Sequence, residues 1–135
     1  MITYTDSLAE ITSEHLRGGF FVGWHNPPSP ETHYRILANS AAIVLARIDD
    51  GTVVGFITAI SDGVSCAYIP HLEVLPAYQG QDIGSELVRR MLARLRHLYM
   101  IDLVCDPPLQ PFYERFGMWP VVGMVVRNYD RQAGE

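Results

Sequence analysis

The sequence predicts a mixed α/β domain in which a mostly antiparallel central sheet carries helices on both faces. The chain has 135 residues and a mass of 15.2 kDa, which is the size of one domain. Its content of 48% hydrophobic and 19% charged residues is typical of a globular chain with a buried core. The spacing of the apolar residues switches between strand and helix periods in the order β-α-α-β-β-β-α-β-α-β. We therefore expect residues 1–135 to fold as a single domain.

Two helices are predicted in the first third of the chain. Ser7 and Glu10 match a capping box, which predicts a helix that extends to about Arg17 and ends at the glycine pair that follows. The aromatic, proline-rich stretch 20–28 is predicted to be a loop. A second helix is predicted over residues 29–39, because a serine N-cap is followed by a proline at the first helical position.

Residues 41–75 are predicted to consist mainly of β-strands. Residues 41–48 and 52–60 are apolar and rich in β-branched side chains, and the Asp-Asp-Gly turn between them predicts a hairpin. A further turn at Asp62 leads into a third strand over residues 64–75, in which Pro70 has no N–H to donate. This proline fits either a strand that bulges away from its neighbour or a plain edge strand.

The rest of the chain combines a long helix with shorter elements. From Ile83 to Leu95 the apolar residues recur at helical spacing, which predicts an amphipathic helix. Residues 100–105 are then expected to form a strand and residues 107–116 a short helix. Residues 119–129 are expected to form a final strand or hairpin, whose edge could pair with a second copy of the chain to give a homodimer.

Charge and cysteine content exclude several classes of function. The formal net charge is −5 and all ten basic residues are arginines, so a nucleic acid is not expected as a partner. An amine or other cationic ligand suits this charge better. Cys66 and Cys105 lie far apart with no metal-binding spacing, so neither a disulfide framework nor a metal site is expected. No apolar run reaches the ~20 residues that a membrane helix requires, and no secretory leader pattern is present, so we expect a cytoplasmic protein with no membrane partner.

The stretch between residues 72 and 85 is the best candidate for a binding site. It is predicted to be a strand, a tight polar turn and the first turn of the long helix. Unpaired backbone N–H groups and the helix dipole make such a turn a binding site for phosphate, and Gly80 and Gly84 allow a ligand to approach closely. Taken alone, the pattern fits an ordinary strand-to-helix connection, with Asp82 as the N-cap, at least as well.

This stretch resembles motif A of the GNAT superfamily of N-acetyltransferases, in which a Gln/Arg-x-x-Gly-x-Gly/Ala pattern follows a strand that ends in Val-x-Pro. Here the pattern begins at Gln79 and ends at Gly84, after Val74 and Pro76. Asp82 stands in place of the first motif glycine. At this position its carboxylate would either repel a pyrophosphate or turn away and cap the helix.

A second stretch, from Asp106 to Met118, resembles motif B of the same family, with Asp106 in place of the asparagine that precedes the motif helix and with the run that begins at Phe112 closing it. The resemblance implies a GNAT-like fold and acetyl-CoA (coenzyme A) as the acyl donor. The cofactor site that it implies consists of Leu72, Glu73, Val74, Gln79, Gly80, Gln81, Asp82, Ile83, Gly84, Ser85 and Asp106.

The resemblance also implies which groups act on the thioester. Tyr113 falls on the tyrosine that family members often place beside the thioester sulfur, where a phenol can protonate or hydrogen-bond the departing thiolate. Backbone groups of the bulged strand would pair with the pantetheine chain, and the N–H of Val74 would polarise the thioester carbonyl. Glu73 is the candidate general base, with His71 and Tyr68 as alternatives. Glu73 could instead pair with an arginine at the sheet surface.

The sequence therefore favours an N-acetyltransferase that moves an acetyl group from acetyl-CoA to a primary amine of a small molecule or peptide. We expect direct attack in a ternary complex, because no cysteine is expected in the cleft segments. An acyl-CoA-binding or interaction module without turnover remains the main alternative, and a nucleotide-phosphate binder the second. The acceptor-side wall is expected to come from the segment that contains Trp24, His25, His33 and Tyr34.

Overall fold

The computed structural model describes all 135 residues and contains six strands and three α-helices. The elements are, in chain order, β1 (Thr3–Thr5), α1 (Pro30–Ala38), β2 (Ala42–Arg47), β3 (Val53–Ser61), β4 (Cys66–Tyr68), β5 (Leu72–Val74), α2 (Ile83–Leu95), β6 (Met100–Asp102) and α3 (Gln110–Glu114). Short 3₁₀ turns cover Ser13–Leu16, Pro76–Tyr78, Pro107–Leu109 and Tyr129–Arg131.

The strands form one open sheet in the order β1-β2-β3-β4-β6, and β5 pairs with β3 beside β4. Every pairing is antiparallel except that of β4 with β6, which is parallel. The β2–β3 hairpin turns at Gly51, whose φ of 92° favours glycine. The prediction of a mixed, mostly antiparallel sheet with helices is confirmed.

The expected third strand is divided into two by the segment from Ile69 to His71. Before the break, β4 pairs with both β3 and β6, whereas after it β5 pairs with β3 alone. Pro70 lies in this break, where the backbone is not paired with a neighbouring strand, so its missing N–H costs the sheet no hydrogen bond. As a result β5 and β6 are not paired, and the sheet opens between them.

The core lies between α2 and the two central strands. Five apolar side chains on one face of α2 are buried against β2 and β3: Ile83, Leu87, Val88, Met91 and Leu95. A side chain at Gly55 of β3 would place its Cβ 3.2 Å from Leu87, so the absence of a side chain there lets the helix lie close to the sheet. None of the helices combines the length and the apolar character that a membrane crossing requires.

The first predicted helix is wrong. In place of a helix over residues 7–17 the structure has a single 3₁₀ turn, Ser13–Leu16. The hydroxyl of Ser7 accepts the N–H of Ala9 in a local turn, and so does not cap a helix. The turn begins instead at Thr12, whose N–H donates to Nδ1 of His15 at 3.0 Å.

The second predicted helix matches the observed α1 (Pro30–Ala38). The hydroxyl of Ser29 accepts the N–H of Thr32 at 3.1 Å, as expected of an N-cap. Pro30 occupies the first helical position, where its missing N–H would have no partner in any case.

The predicted C-terminal strand is also wrong for the single chain. Residues 119–128, called the C-terminal arm below, contain no helix or strand, and six of their apolar side chains are 58–97% exposed. The chain becomes anchored again after the arm, where the side chain of Gln132 accepts the N–H of Asn26 at 2.8 Å. The composition of the arm favours a strand, but a strand needs a neighbouring edge, and the arm pairs with none in its own chain.

An aromatic cluster surrounds His33, on α1, which is only 1% exposed. Its ring lies 4.3 Å from that of Phe56 and about 5 Å from those of Phe20 and Phe21. Burial, together with the nearby His71, lowers the pKa of His33 to about 4, and its Nε2 atom has no hydrogen-bond partner. The imidazole is therefore neutral in the folded protein near neutral pH.

We expect this histidine to make the fold sensitive to mild acid. The unfolded chain binds a proton at His33 near pH 6.5, whereas the folded chain does so only near pH 4, so stability is lost as the pH falls through that interval. The full loss amounts to about 3 kcal/mol, at 1.36 kcal/mol per pKa unit. Urea denaturation between pH 7 and pH 5 checks this, with His33→Leu expected to lose less stability than the wild type over the interval. The exposed His97→Leu is the control, and equal losses in His33→Leu and the wild type would contradict the assignment.

Candidate functional site

The N-terminus of α2 presents a row of unpaired backbone N–H groups. The amides of residues 80–85 donate to no other group of the chain, and the first hydrogen bond of the helix runs from the N–H of Glu86 to the carbonyl of Asp82. Gly80 and Asp82 both have positive φ angles, of 80° and 66°. This geometry turns consecutive amides towards one side, where the helix dipole adds partial positive charge. The turn can therefore bind a phosphate.

The carboxylate of Asp82 turns away from this row of amides. It makes no capping hydrogen bond, and instead accepts Nη1 of Arg89 at 3.2 Å. Hydrogen bonds from Arg89 and then Ser85 hold the pKa of this exposed carboxyl below its usual value. The left-handed backbone at Asp82 is a conformation that glycine adopts freely and that aspartate tolerates better than most residues. Of the two alternatives for Asp82, the structure supports the one in which its side chain turns away, although that side chain does not cap the helix.

Arg115 places a positive charge beside the same turn. Its guanidinium donates to the hydroxyl of the buried Ser85 at 3.1 Å, and lies 5.5 and 5.4 Å from the ring centres of Phe112 and Phe116. Arg115 was not predicted from the sequence as a candidate phosphate ligand. The available signal was its position two residues after Tyr113, directly after the short helix α3, whose Phe112 lies beside the start of α2.

Gly84 joins this turn to the neighbouring elements. A Cβ at Gly84 would lie 3.8 Å from the side chains of both Val74, on β5, and Phe112, on α3. The turn formed by residues 80–85 is therefore next to the strand where the sheet opens and next to the helix that carries Tyr113. A ligand anchored by its phosphates at the turn can extend along β5 towards Tyr113.

A cleft of about 430 Å³ lies where β5 and β6 separate. Pro70 and Leu72 line it on one side, and the segment from Leu103 to Asp106 lines it on the other. Trp24, Ile69, Leu109, Tyr113 and Arg127 complete the lining. Eight of the eleven lining residues are hydrophobic, but polar atoms make up most of the surface that they present to the cleft. Such a lining suits a flexible chain that carries both apolar and hydrogen-bonding groups.

The backbone of β5 has one edge towards β3 and one towards the opening. The flanking hydrogen bonds run from Thr58 N–H to the His71 carbonyl and from Leu75 N–H to the Val54 carbonyl. By the alternation of an antiparallel ladder, the backbone of Glu73 faces β3, and those of Leu72 and Val74 face away from it. This corrects the expectation that all three backbones face the pantetheine chain, because Glu73 is used within the sheet.

Gln79 has a structural role at the turn. Its side-chain amide donates to the carbonyl of Val74 at 3.0 Å, which ties the turn back to β5. This bond uses the Val74 carbonyl and leaves the Val74 N–H free. Gln81 and Asp106 are exposed, and Asp106 lines the cleft.

The phenol of Tyr113 lies in the wall of the cleft and is half-buried. Burial, and to a smaller extent the neighbouring Cys105, raises the pKa of Tyr113 to about 12. The hydroxyl is therefore protonated across the physiological pH range and can donate a hydrogen bond to a ligand in the cleft. Phe112 packs edge-on against its ring at 5.0 Å and fixes the ring's position.

Cys105 also lines the cleft, which corrects the expectation that no cysteine lies in the cleft segments. The residue follows the end of β6, where the strand period no longer determines the side-chain direction. Its thiol is free and partly exposed. A covalent route through Cys105 thus has to be tested directly.

Glu73 and His71 project from the same face of β5, towards the loop formed by residues 20–24. The two carboxylate oxygens of Glu73 accept the N–H groups of Phe21 at 2.8 Å and Val22 at 3.2 Å. Glu73 therefore binds backbone amides of this loop. It does not pair with an arginine, which was the structural alternative for this residue. The ring of His71 packs 5.8 Å from that of Phe21, and burial lowers its pKa.

The expected acceptor-side wall is only partly present. Trp24 lines the cleft and is 38% exposed, so it can contact a ligand. His33 belongs to the core, as described above, and the half-buried Tyr34 packs against that core. No group of three or more His, Cys, Asp or Glu side chains comes together in a way that could hold a metal ion.

Comparison with known proteins gives one consistent family. Residues 9–118 match the model of the acetyltransferase (GNAT) family. A crystal structure from Deinococcus radiodurans R1, assigned as an acetyltransferase, is 49% identical and has a TM-score of 0.95, covering 98% of this chain and 92% of that one.

Two curated relatives agree with this family. A Bacillus subtilis (strain 168) protein, assigned as a [ribosomal protein bS18]-alanine N-acetyltransferase, is 30% identical over 110 residues, which are 76% of this chain and 70% of that protein. The N-acetyltransferase ycf52 of Pyropia yezoensis is 28% identical over 100 residues, or 71% of this chain. The chain spans 58% of the length of that second relative.

Proposed function

The chain belongs to the acetyltransferase (GNAT) family, and on that premise we propose that it is an N-acetyltransferase that moves an acetyl group from acetyl-CoA to a primary amine. One observation carries the proposal. The free amides of residues 80–85, the free backbone edge of β5 and the phenol of Tyr113 adjoin one another around Gly84 and the cleft. We propose that residues 1–135 act as one catalytic domain.

The residues present fit coenzyme A. The amides of residues 80–85 and the guanidinium of Arg115 would hold the diphosphate, because both present positive charge at the start of α2. Leu72 and Val74 offer backbone groups to the pantetheine chain. When bound, acetyl-CoA would supply an activated thioester carbonyl.

The side chains around the cleft can then assist transfer. The N–H of Val74 faces away from β3 and would polarise a thioester carbonyl bound beside β5, and Tyr113 would donate a hydrogen bond to the sulfur of the departing thiolate. The amine nitrogen forms the new bond to the carbonyl carbon. Because it arrives as an ammonium, it must lose one proton before attack and another as the amide forms, and this second proton would pass to the departing thiolate to give the free thiol of coenzyme A. We propose Glu73 as the group that receives the first proton, directly or through a water molecule.

The direct route is favoured over transfer through a cysteine acyl-enzyme, and Cys105 makes the distinction testable. With Cys105→Ala we expect the rate of acetyl transfer to stay within about twofold of the wild type, since no step in direct attack requires a thiol nucleophile. Loss of turnover, together with an acetylated Cys105 in wild-type enzyme incubated without amine, would contradict direct attack.

Two measurements test the proposed function. Calorimetric titration with acetyl-CoA should show saturable binding, and a screen of primary amines for release of free thiol should identify an accepted substrate. Binding without thiol release from any amine would favour the alternative of a binding module without turnover. Absence of binding would reject both the acetyltransferase and the acyl-CoA-binding module. The remaining alternative would then be a protein that binds the phosphates of another nucleotide.

The screen should include peptides as well as small amines. The Bacillus subtilis relative is named for an alanine of a ribosomal protein, so a peptide that begins with alanine is one informative acceptor. The exposed Trp24 and the net charge of −5 are compatible with a cationic amine beside the cleft.

The role of Arg115 gives a sharper test of the diphosphate site. Arg115→Met keeps an apolar stem against Phe112 and Phe116 but removes the charge, so we expect about a 10-fold weaker affinity for acetyl-CoA. S-acetyl-pantetheine has no diphosphate, and its use as a donor should be unchanged. Arg96→Ala, at the far end of α2, is the charge-matched control. Equal weakening with both donors would show that Arg115 acts on the fold rather than on the diphosphate.

We propose a cytoplasmic location, since Cys66 and Cys105 are both free thiols, as is usual in a reducing compartment. We also propose that the macromolecular partner of the chain is a second copy of itself.

A further inference from the structure

We infer that a second cavity of the chain, outside the cleft, binds a small neutral aromatic molecule that carries a hydroxyl group. This ligand would be neither the acyl donor nor the acceptor amine, so the site goes beyond the proposed function. Binding there needs neither acetyl-CoA nor turnover, because it depends only on the cavity and on the loop that forms its wall.

The second cavity has a volume of about 340 Å³ and lies between the 3₁₀ turn Ser13–Leu16, the loop that follows it and the start of α1. None of the residues that line it also lines the cleft. An apolar cavity of about half this volume can hold a benzene ring, so the space is sufficient for a molecule with one aromatic ring. Six lining residues contribute aliphatic side chains or rings: Leu16, Phe20, Phe21, Pro28, Pro30 and His33.

The polar atom that selects the ligand is Nε2 of His33. This residue lines the cavity and is only 1% exposed, and its Nε2 atom has no hydrogen-bond partner in the chain. Buried polar atoms in proteins almost always have a partner, so Nε2 has a hydrogen-bonding capacity that a ligand can satisfy. A neutral imidazole either donates or accepts at Nε2, depending on its tautomer, and a hydroxyl group can do either. We therefore expect the hydroxyl of the ligand to bond to Nε2.

The charges around the cavity favour a neutral ligand. Arg17 is the only charged residue in the lining, and its guanidinium already pairs with Glu14 at 2.8 Å and with Glu31 at 2.7 Å. The imidazole of His33 is uncharged near neutral pH, because burial lowers its pKa. An ammonium or a carboxylate that entered the cavity would lose its water without gaining a free opposite charge, which costs free energy. A neutral molecule avoids this cost.

Phe21 connects the wall of the cavity to the proposed catalytic base. Its N–H donates to Glu73 at 2.8 Å, and its ring lies 4.9 Å from that of Trp24 in the wall of the cleft. Its φ of 66° lies in the left-handed region, which is unfavourable for a bulky side chain, so this conformation depends on the contacts around it. A ligand packed against Phe21 adds such a contact. Occupancy of the cavity should therefore stabilise the loop that holds Glu73, which makes the cavity a regulatory site.

The first test compares phenol with toluene, which has a methyl group in place of the hydroxyl. With the full chain in solution, NMR signals of residues 16–21 and of the His33 imidazole should shift saturably with phenol. His33→Leu keeps an apolar side chain in the lining but loses the hydrogen bond, so the ratio of phenol affinity to toluene affinity should fall by about 5- to 10-fold. His97→Leu, which replaces an exposed histidine, should leave the ratio unchanged. An unchanged ratio in His33→Leu would overturn the inference, as would the absence of saturable phenol binding, which would indicate that the cavity holds water only.

Two measurements on the wild type keep the test independent of how well the variant folds. Phenol should stay bound in the presence of excess acetyl-CoA, because the cavity and the cleft share no lining residue. With phenol at about twice its Kd, the amides of Phe21 and Val22 should exchange hydrogen about threefold more slowly. Displacement of phenol by acetyl-CoA would overturn the inference, and unchanged exchange would overturn the regulatory role. Acetyl-CoA binding and thiol release are measured without phenol, so a failure of the proposed function and a failure of this site can be told apart.

Discussion

Replacing Tyr113 with phenylalanine should lower kcat for acetyl transfer by about 100- to 1,000-fold, within the range of positioned acid catalysts. The substitution removes only the hydroxyl, and the ring keeps its edge-on packing against Phe112. Because the phenol has a pKa of about 12, it remains a hydrogen-bond donor at every assay pH below that value. The loss should therefore appear in kcat at all such pH values, with little change in the KM for acetyl-CoA. Steady-state kinetics with an accepted amine provide the measurement.

Tyr99→Phe is the matched control for this prediction. Tyr99 precedes β6, is 88% exposed and does not line the cleft. Its kcat should stay close to that of the wild type. If Tyr113→Phe retained wild-type kcat, or if both variants fell equally, Tyr113 would not be the group that assists the leaving sulfur.

Replacing Glu73 with glutamine should lower kcat/KM for the amine by about 100-fold near pH 7, the lower end of the usual effect of a general base. Glutamine keeps the size of the side chain but loses the charge and one of the two oxygens that accept the N–H groups of Phe21 and Val22. If Glu73 removes the proton from the ammonium, the loss should shrink as the pH rises towards the pKa of the amine, because more of the amine is then already neutral. The pH profile of kcat/KM provides the measurement.

A purely structural role for Glu73 would give a different result. Loosening of the loop at Phe21 would lower activity by the same factor at every pH, and high pH would restore nothing. Glu14→Gln, which removes an exposed carboxylate paired with Arg17, should leave the profile unchanged. A pH-independent loss in Glu73→Gln would identify Glu73 as a positioning residue and would direct the search for a base to His71.

Local patterns predicted the parts of the fold that depend on neighbouring residues. The serine cap and following proline predicted α1 within one residue at each end, and the apolar period predicted the bounds of α2. The missing N–H of Pro70 left two alternatives open, a strand that bulges away from its neighbour and a plain edge strand, and the structure has a break in the strand at this residue.

The features that sequence could not predict depend on contacts between distant residues. Glu73 bonds to loop amides about fifty residues earlier in the chain, and no local signal distinguishes that partner from an arginine. Cys105 enters the cleft because β6 ends at Asp102 and the chain then turns. The composition of residues 119–129 favours a strand, but this segment pairs with no strand of its own chain.

The two hydrogen bonds at Glu73 have a consequence for how new substrates could be acquired. The carboxylate that we expect to handle the proton also secures the loop that leads to Trp24. An insertion or deletion near Phe21 would break the hydrogen bonds that hold the Glu73 carboxylate. It would therefore disturb both proton transfer and the choice of acceptor amine. Substitution of a single side chain later in the loop, at Trp24 or His25, leaves both hydrogen bonds to Glu73 in place. Substrate range in this protein should therefore diversify by point substitution beyond Val22, while the length of the preceding loop stays fixed.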